Sequence, residues 1–147
     1  MSQETEKAIN IFKEVKKLNF PTDCFIVVGS GIMAVKNIRE AYDLDIVVSE
    51  ELFEKCKNKD WELKPWTRVG TIGKPWLKKG ITELMVEIIS GDEILNLKAL
   101  KKEGEEINGI WFLSLKQLIK FKKAYGRSKD FDDIALMEKY LNSKIIW

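Results

Sequence analysis

The chain has 147 residues, 45% of them hydrophobic and 33% charged, which is enough for one packed core and too little for two comfortable ones. Lys and Arg number 25 against 23 for Asp and Glu, a net charge of +2 with no block of like charge, so a long nucleic acid is not an expected partner. Histidine is absent, which excludes Ser-His and Cys-His nucleophile pairs, His-ligated zinc and imidazole acid/base chemistry.

From Glu4 to Leu18 the residues Ala8, Ile11, Phe12, Val15 and Leu18 recur at helical spacing, predicting an amphipathic helix that Asn19 and Pro21 end. Phe25 to Val28 is a short apolar run closed by Gly29-Ser30-Gly31, which reads as a buried strand entering a tight turn, with a short helix over Ile32 to Ile38. Asp43 to Val48 predicts a second strand, and Ser49 before Glu50 and Glu51 caps a helix to about Lys57. Trp61 to Gly80, rich in Trp, Gly, Pro and Lys, suggests short strands and turns, including a hairpin.

Thr82 to Ile89 predicts a third strand, followed by Ser90-Gly91-Asp92 and a helix bearing Ile94, Leu97 and Leu100. Ile107 to Leu113 holds the turn pair Asn108-Gly109 between strand fragments. Ser114 and Gln117 form a capping box opening a helix that Gly126 closes, and a last helix from about Lys129 to Leu141 turns Ile134, Met137, Tyr140 and Leu141 to one face. The order predicts a single α/β (α+β) domain over residues 1–147. It comprises a mixed sheet of about four to five strands flanked by helices, over about 20–113, and a helical tail over about 114–147.

Cys24 and Cys56 have no CxxC spacing, so neither a zinc site nor a disulfide framework is implied. No apolar run approaches the roughly 18 residues of a membrane span, and the opening MSQETEKAIN is polar. A cytoplasmic location without membrane contact is the expectation.

Residues two apart in a strand share a face, so Asp43 and Asp45 project together while Leu44, Ile46 and Val48 face the other way. Adjacent carboxylates repel unless a cation lies between them. Glu87, inside the apolar run MVEII, also calls for a metal or cationic partner, and three converging carboxylates would suit a hard cation such as Mg²⁺. The turn Gly29-Ser30-Gly31 offers backbone N–H groups and a hydroxyl to phosphate oxygens.

Together, Gly29-Ser30, Asp43-Leu44-Asp45 and Glu87 on a later strand resemble the signature of the polymerase beta-like nucleotidyltransferase superfamily, in its minimal form. The resemblance implies Mg²⁺-dependent transfer of a nucleoside monophosphate from a nucleoside triphosphate to an acceptor hydroxyl on a small molecule or protein. Asp43, Asp45 and Glu87 would be the catalytic and metal-binding acids at a two-metal site, with Mn²⁺ as the alternative ion, and Gly29 and Ser30 would hold the triphosphate. The tail residues Leu118, Ile119, Lys122, Arg127, Lys129, Asp130 and Asp133, together with Arg39, resemble nucleotidyltransferase-like proteins related to abortive-infection toxins. The third acid is Glu rather than the commoner Asp, and Ala41 stands where relatives often have Ser or Thr.

Lys122 lies on the apolar stripe of its helix, where a lysine is avoided unless its stem packs and its ammonium reaches an anion; it and Arg39 are assigned to the nucleotide. Arg127, Lys129, Asp130 and Asp133 fit either a site or ordinary caps and surface ion pairs. Trp61, Trp66 and Trp76 read chiefly as packing residues, with a base or acceptor platform as the alternative. The rival to an enzyme is a catalytically weak or inactive binding module of the same fold, one component of a toxin-antitoxin pair, with a protein partner or a homo-oligomer.

Overall fold

A computed structural model describes residues 7–64 and 74–145. Helix α1 (Ile11–Leu18) begins later than its periodicity suggests, because the Asn10 side chain accepts from the Lys13 backbone N–H and caps the helix there. Asn19, in the left-handed conformation at φ 54°, ends it as expected. The next elements are β1 (Phe25–Val28), α2 (Gly31–Val35), β2 (Leu44–Val48) and α3 (Glu50–Lys57), the last capped by Ser49 accepting from the Leu52 N–H.

After α3 come β3 (Glu62–Lys64), β4 (Trp76–Lys79), β5 (Thr82–Met85), β6 (Glu87–Ser90), β7 (Glu93–Asn96) and α4 (Leu97–Lys102). The chain ends with β8 (Glu105–Ile107), β9 (Ile110–Phe112), α5 (Leu115–Tyr125) and α6 (Ser128–Ile145). The class is the expected mixed α/β, but the strands number nine among the described residues, seven of them in one sheet, against four to five expected. The excess lies in strands of three or four residues, which are too short to show a period in sequence.

Two readings of the middle of the chain are corrected. The run Thr82 to Ile89 is not one strand: it breaks at Val86, leaving β5 in the main sheet and β6 in a separate two-stranded sheet with β7. The residues after Asp92 do not begin a helix, because Gly91 at φ 60° permits a tight turn that pairs Ser90 with Glu93 and Ile89 with Ile94. The helix starts only at Leu97, where the Asn96 side chain accepts from the Ala99 N–H.

The main sheet runs β3-β4-β5-β2-β1-β9-β8. β2 and β1 lie at its middle, paired antiparallel with Val28 opposite Asp45, while β5 runs parallel to β2 and β9 parallel to β1. Their central positions explain why all four residues of β1 are buried: both faces are covered. The core gathers Ile26, Leu44, Ile46, Leu77, Leu84, Leu100 and Phe112, all fully buried, and Phe12 of α1 meets Phe112 edge-on at 5.8 Å. No helix among the described residues is long and apolar enough to cross a membrane.

Truncating Phe112, which joins β9, β1 and α1, is expected to cost about 3–5 kcal/mol through lost burial and an unfilled cavity. A chemical denaturation curve of Phe112→Ala, with an unchanged slope and a lower midpoint, checks this.

Candidate functional site

Because β1 and β2 are antiparallel, the end of β1 and the start of β2 meet at one edge of the sheet, and the turn after Val28 lies beside Asp45. Gly29 takes φ 64°, which favours glycine, and a Cβ there would lie 2.8 Å from the Asp45 carboxylate. Glycine thus lets the backbone of the turn approach the acid. Ser30 precedes α2 without capping it; its hydroxyl instead accepts from Arg39 Nη2 at 2.8 Å.

These residues open onto a cleft of about 470 Å³, lined on this side by Gly29, Ser30, Arg39, Asp43 and Asp45. The opposite wall comes from the tail, with Leu118, Phe121, Lys122 and Tyr125 of α5 and then Arg127, Lys129 and Asp133. Six of the seven residues assigned from sequence therefore share one cleft: Gly29, Ser30, Arg39, Asp43, Asp45 and Lys122.

The seventh, Glu87, is not among them. The break at Val86 carries it off the main sheet into β6, where it pairs with Asn96 across the hairpin and meets Lys74 at 3.6 Å. Among the described residues no three acidic or cysteine side chains stand close enough to hold one metal ion. The acid that the register places beside Asp45 is Glu83 of β5, half-buried on the same face of the neighbouring parallel strand.

Three of the four cations of the cleft, Arg39, Lys122 and Arg127, are held by two buried carboxylates of α6. Asp133 accepts from Arg39 Nε at 2.7 Å and Nη2 at 2.9 Å, a two-pronged contact, and lies 2.9 Å from the Lys122 ammonium. Asp130, fully buried, accepts from Lys122 at 3.2 Å, from Arg127 Nε at 2.7 Å and Nη2 at 3.1 Å, and from the Arg127 backbone N–H at 3.1 Å. The chain of contacts runs from Ser30 through Arg39, Asp133, Lys122 and Asp130 to Arg127.

Lys122 thus has the anion its place on the apolar stripe demanded, but that anion belongs to the protein itself. Nor are Asp130 and Asp133 the surface ion pairs that the sequence allowed; both are buried. Burial alone would raise each carboxyl. Hydrogen bonds from Arg127 and Lys122 outweigh it at Asp130, and those from Arg39 and Lys122 outweigh it at Asp133, so both sit below the usual carboxylate range. Hydrogen bonding to Asp133 likewise pushes the Arg39 guanidinium up.

Neither Trp61 nor Trp76 lines the cleft; Trp61 packs near Phe20 at 6.3 Å with Lys79 over its ring, and Trp66 lies outside the described residues. The aromatic side chains that do line it, Tyr42, Phe121 and Tyr125, were not singled out by the sequence pattern, since each sits in a segment that a packing role explains equally well. Compared with protein-family models, curated proteins and solved structures, the chain matches none.

A carboxyl whose folded pKa is depressed contributes stability that is complete above its unfolded value, about 3.9, and is lost as pH falls through the lower folded value. The protein is expected to lose stability below about pH 4, and Asp130→Asn to flatten that loss while costing about 3–5 kcal/mol at neutral pH, where Lys122 loses a buried partner. Urea midpoints of both proteins between acid and neutral pH check both effects. Gly29→Ala is expected to cost more than about 1 kcal/mol, through its backbone angle and the contact with Asp45, read from the shift in thermal midpoint.

Proposed function

We propose that the protein is a Mg²⁺-dependent nucleotidyltransferase, moving a nucleoside monophosphate from a nucleoside triphosphate to the hydroxyl of a small molecule or protein. The observation that supports this best is the packing of the Gly29 turn against Asp45, which brings that turn and two carboxylates, Asp43 and Asp45, to one cleft. A phosphate chain and a hard cation are bound together by this combination of groups.

The donor set can be tested against the ion. Asp43 and Asp45 supply oxygen ligands alone, and Mg²⁺ is commonly held by one or two carboxylates while it keeps waters and substrate phosphate oxygens. The pair therefore fits one such ion, and the described residues do not assemble the three-acid set that the two-metal expectation rested on. When bound, the metal supplies charge neutralisation at the phosphates and polarises the one under attack.

The protein's own groups do the rest. The Gly29 turn and the Ser30 hydroxyl orient the phosphate chain, with Arg39 holding that hydroxyl at 2.8 Å. Lys122, fixed between Asp130 and Asp133, presents its ammonium to the same cleft and opposes charge that develops on the leaving phosphates. Leu118 and Phe121 wall the cleft on one side and limit water there.

A second reading is favoured by one particular observation, the departure of Glu87 from the cleft to Lys74, which removes the acid that would activate the acceptor. On that reading the fold binds a nucleotide without turning it over and serves as one component of a two-protein system.

Calorimetric titration of the four common nucleoside triphosphates with Mg²⁺ or Mn²⁺ into wild-type protein and into Asp43→Asn/Asp45→Asn tests the site. Binding is expected to require the metal and to fall at least about tenfold in the variant. No binding of any triphosphate at about millimolar concentration, the weak limit of specific affinity, sinks both readings. Release of pyrophosphate by the binding-competent wild type in the presence of acceptor supports the enzyme, and its absence the binding module.

A further inference from the structure

The proposed function accounts for the polar half of the cleft and leaves the other half without a role. On α5 the cleft-lining residues Leu118, Phe121, Lys122 and Tyr125 follow helical spacing, so that Lys122 and Tyr125, three apart, are neighbours on one face with Cβ atoms about 5–6 Å apart. The polar contacts that begin at Ser30 reach Lys122 through Arg39 and Asp133. One helical turn further, the wall becomes aromatic.

Tyr125 there is half-buried, its ring 6.3 Å from that of Phe121, and the Arg127 guanidinium stands 5.5 Å from its centroid. Two hydrogen bonds that the guanidinium donates to the Asp130 carboxylate fix its plane, so ring and cation form a preset pair at the edge of the cleft. Neither a metal ion nor a bare polyphosphate makes use of such a surface. A flat π system does, because bases stack on aromatic rings and on guanidinium planes alike. Tyr42, the other tyrosine of the cleft, adjoins Asp43 and donates to the Glu40 carboxylate, so it belongs to the carboxylate end.

Resting on the nucleotidyltransferase reading, we propose that Tyr125 and the Arg127 guanidinium over its ring form the platform on which the base of the nucleoside triphosphate stacks, the phosphates running past Lys122 toward Ser30. A single mononucleotide is long enough to touch Lys122 and Tyr125 at once. Stacking engages the face of a base and not its edges, so discrimination among the four bases is weak at this platform.

The test compares ATP with inorganic tripolyphosphate, each with Mg²⁺, by calorimetry on wild type, Tyr125→Ala and Tyr125→Phe. Tyr125→Ala is expected to weaken ATP by about tenfold to a hundredfold and to leave tripolyphosphate unchanged, which also shows that the variant is folded. Tyr125→Phe is expected to bind ATP as the wild type does. ATP affinity that survives Tyr125→Ala, or that falls in parallel with tripolyphosphate, overturns the platform while the phosphate site stands. A wild type that binds neither ligand overturns the nucleotidyltransferase reading, and the platform with it.

Discussion

Two buried carboxylates have to be neutralised before the tail can pack on the sheet, and the groups that neutralise them decide the shape of the cleft. Asp130 has no exposed surface and Asp133 very little, so leaving either charge unmatched would cost several kcal/mol. Their partners come from three places in the chain: Lys122 from α5, Arg127 from the α5–α6 turn, and Arg39 from the segment before β2. The third reaches across the fold, joining residues 94 apart. Because Arg39 also holds Ser30, the first turns of α6 set the geometry of a turn on the far side of the cleft. The tail is a wall of the site.

Sheet topology supplies the other wall. With β1 and β2 antiparallel, a turn after β1 and acids at the head of β2 arise at one edge without any long-range adjustment, and Val28 opposite Asp45 fixes their register. β9, parallel to β1, ends at the same edge, where the Leu113 N–H continues the ladder to the Val27 carbonyl. α5 therefore starts from that edge, with its Ser114–Gln117 box making both of its reciprocal bonds. Local caps and central pairings are enough to bring residues 29, 45 and 122 to one cleft.

Much of this was legible from sequence because it is local. The caps at Ser49 and Ser114 and the left-handed closures at Asn19 and Gly126 need only short-range chemistry. Glu87 was misplaced for the opposite reason. TELMVEII has the composition of one strand, and only competition between the main sheet and a local hairpin, decided by Gly91 and by partners in β7, breaks it at Val86. The part played by Asp133 was illegible in the same way, since nothing near it in sequence announces Arg39 as its partner. Charged residues at the start of a helix look alike whether they face water or a guanidinium.

Arg39, Lys122 and Arg127 are already engaged by Asp130 and Asp133, so although they line the cleft they offer a polyanion less than their number suggests. Lys129 is the one lysine or arginine lining the cleft that meets no carboxylate among the described residues, and Asp43 and Asp45 bring two further negative charges close to the Gly29 turn. Four cations then face four carboxylates, Asp43, Asp45, Asp130 and Asp133, so a polyphosphate arriving alone would meet no net positive charge and two acids that repel it. Arriving with a divalent cation, it converts those acids from an obstacle into ligands, because carboxylates and phosphates then share one hard ion. The internal ion pairs thus hold the tail in place, and on the proposed reading they would leave the Gly29 turn dependent on a bound cation for its attraction to a nucleotide.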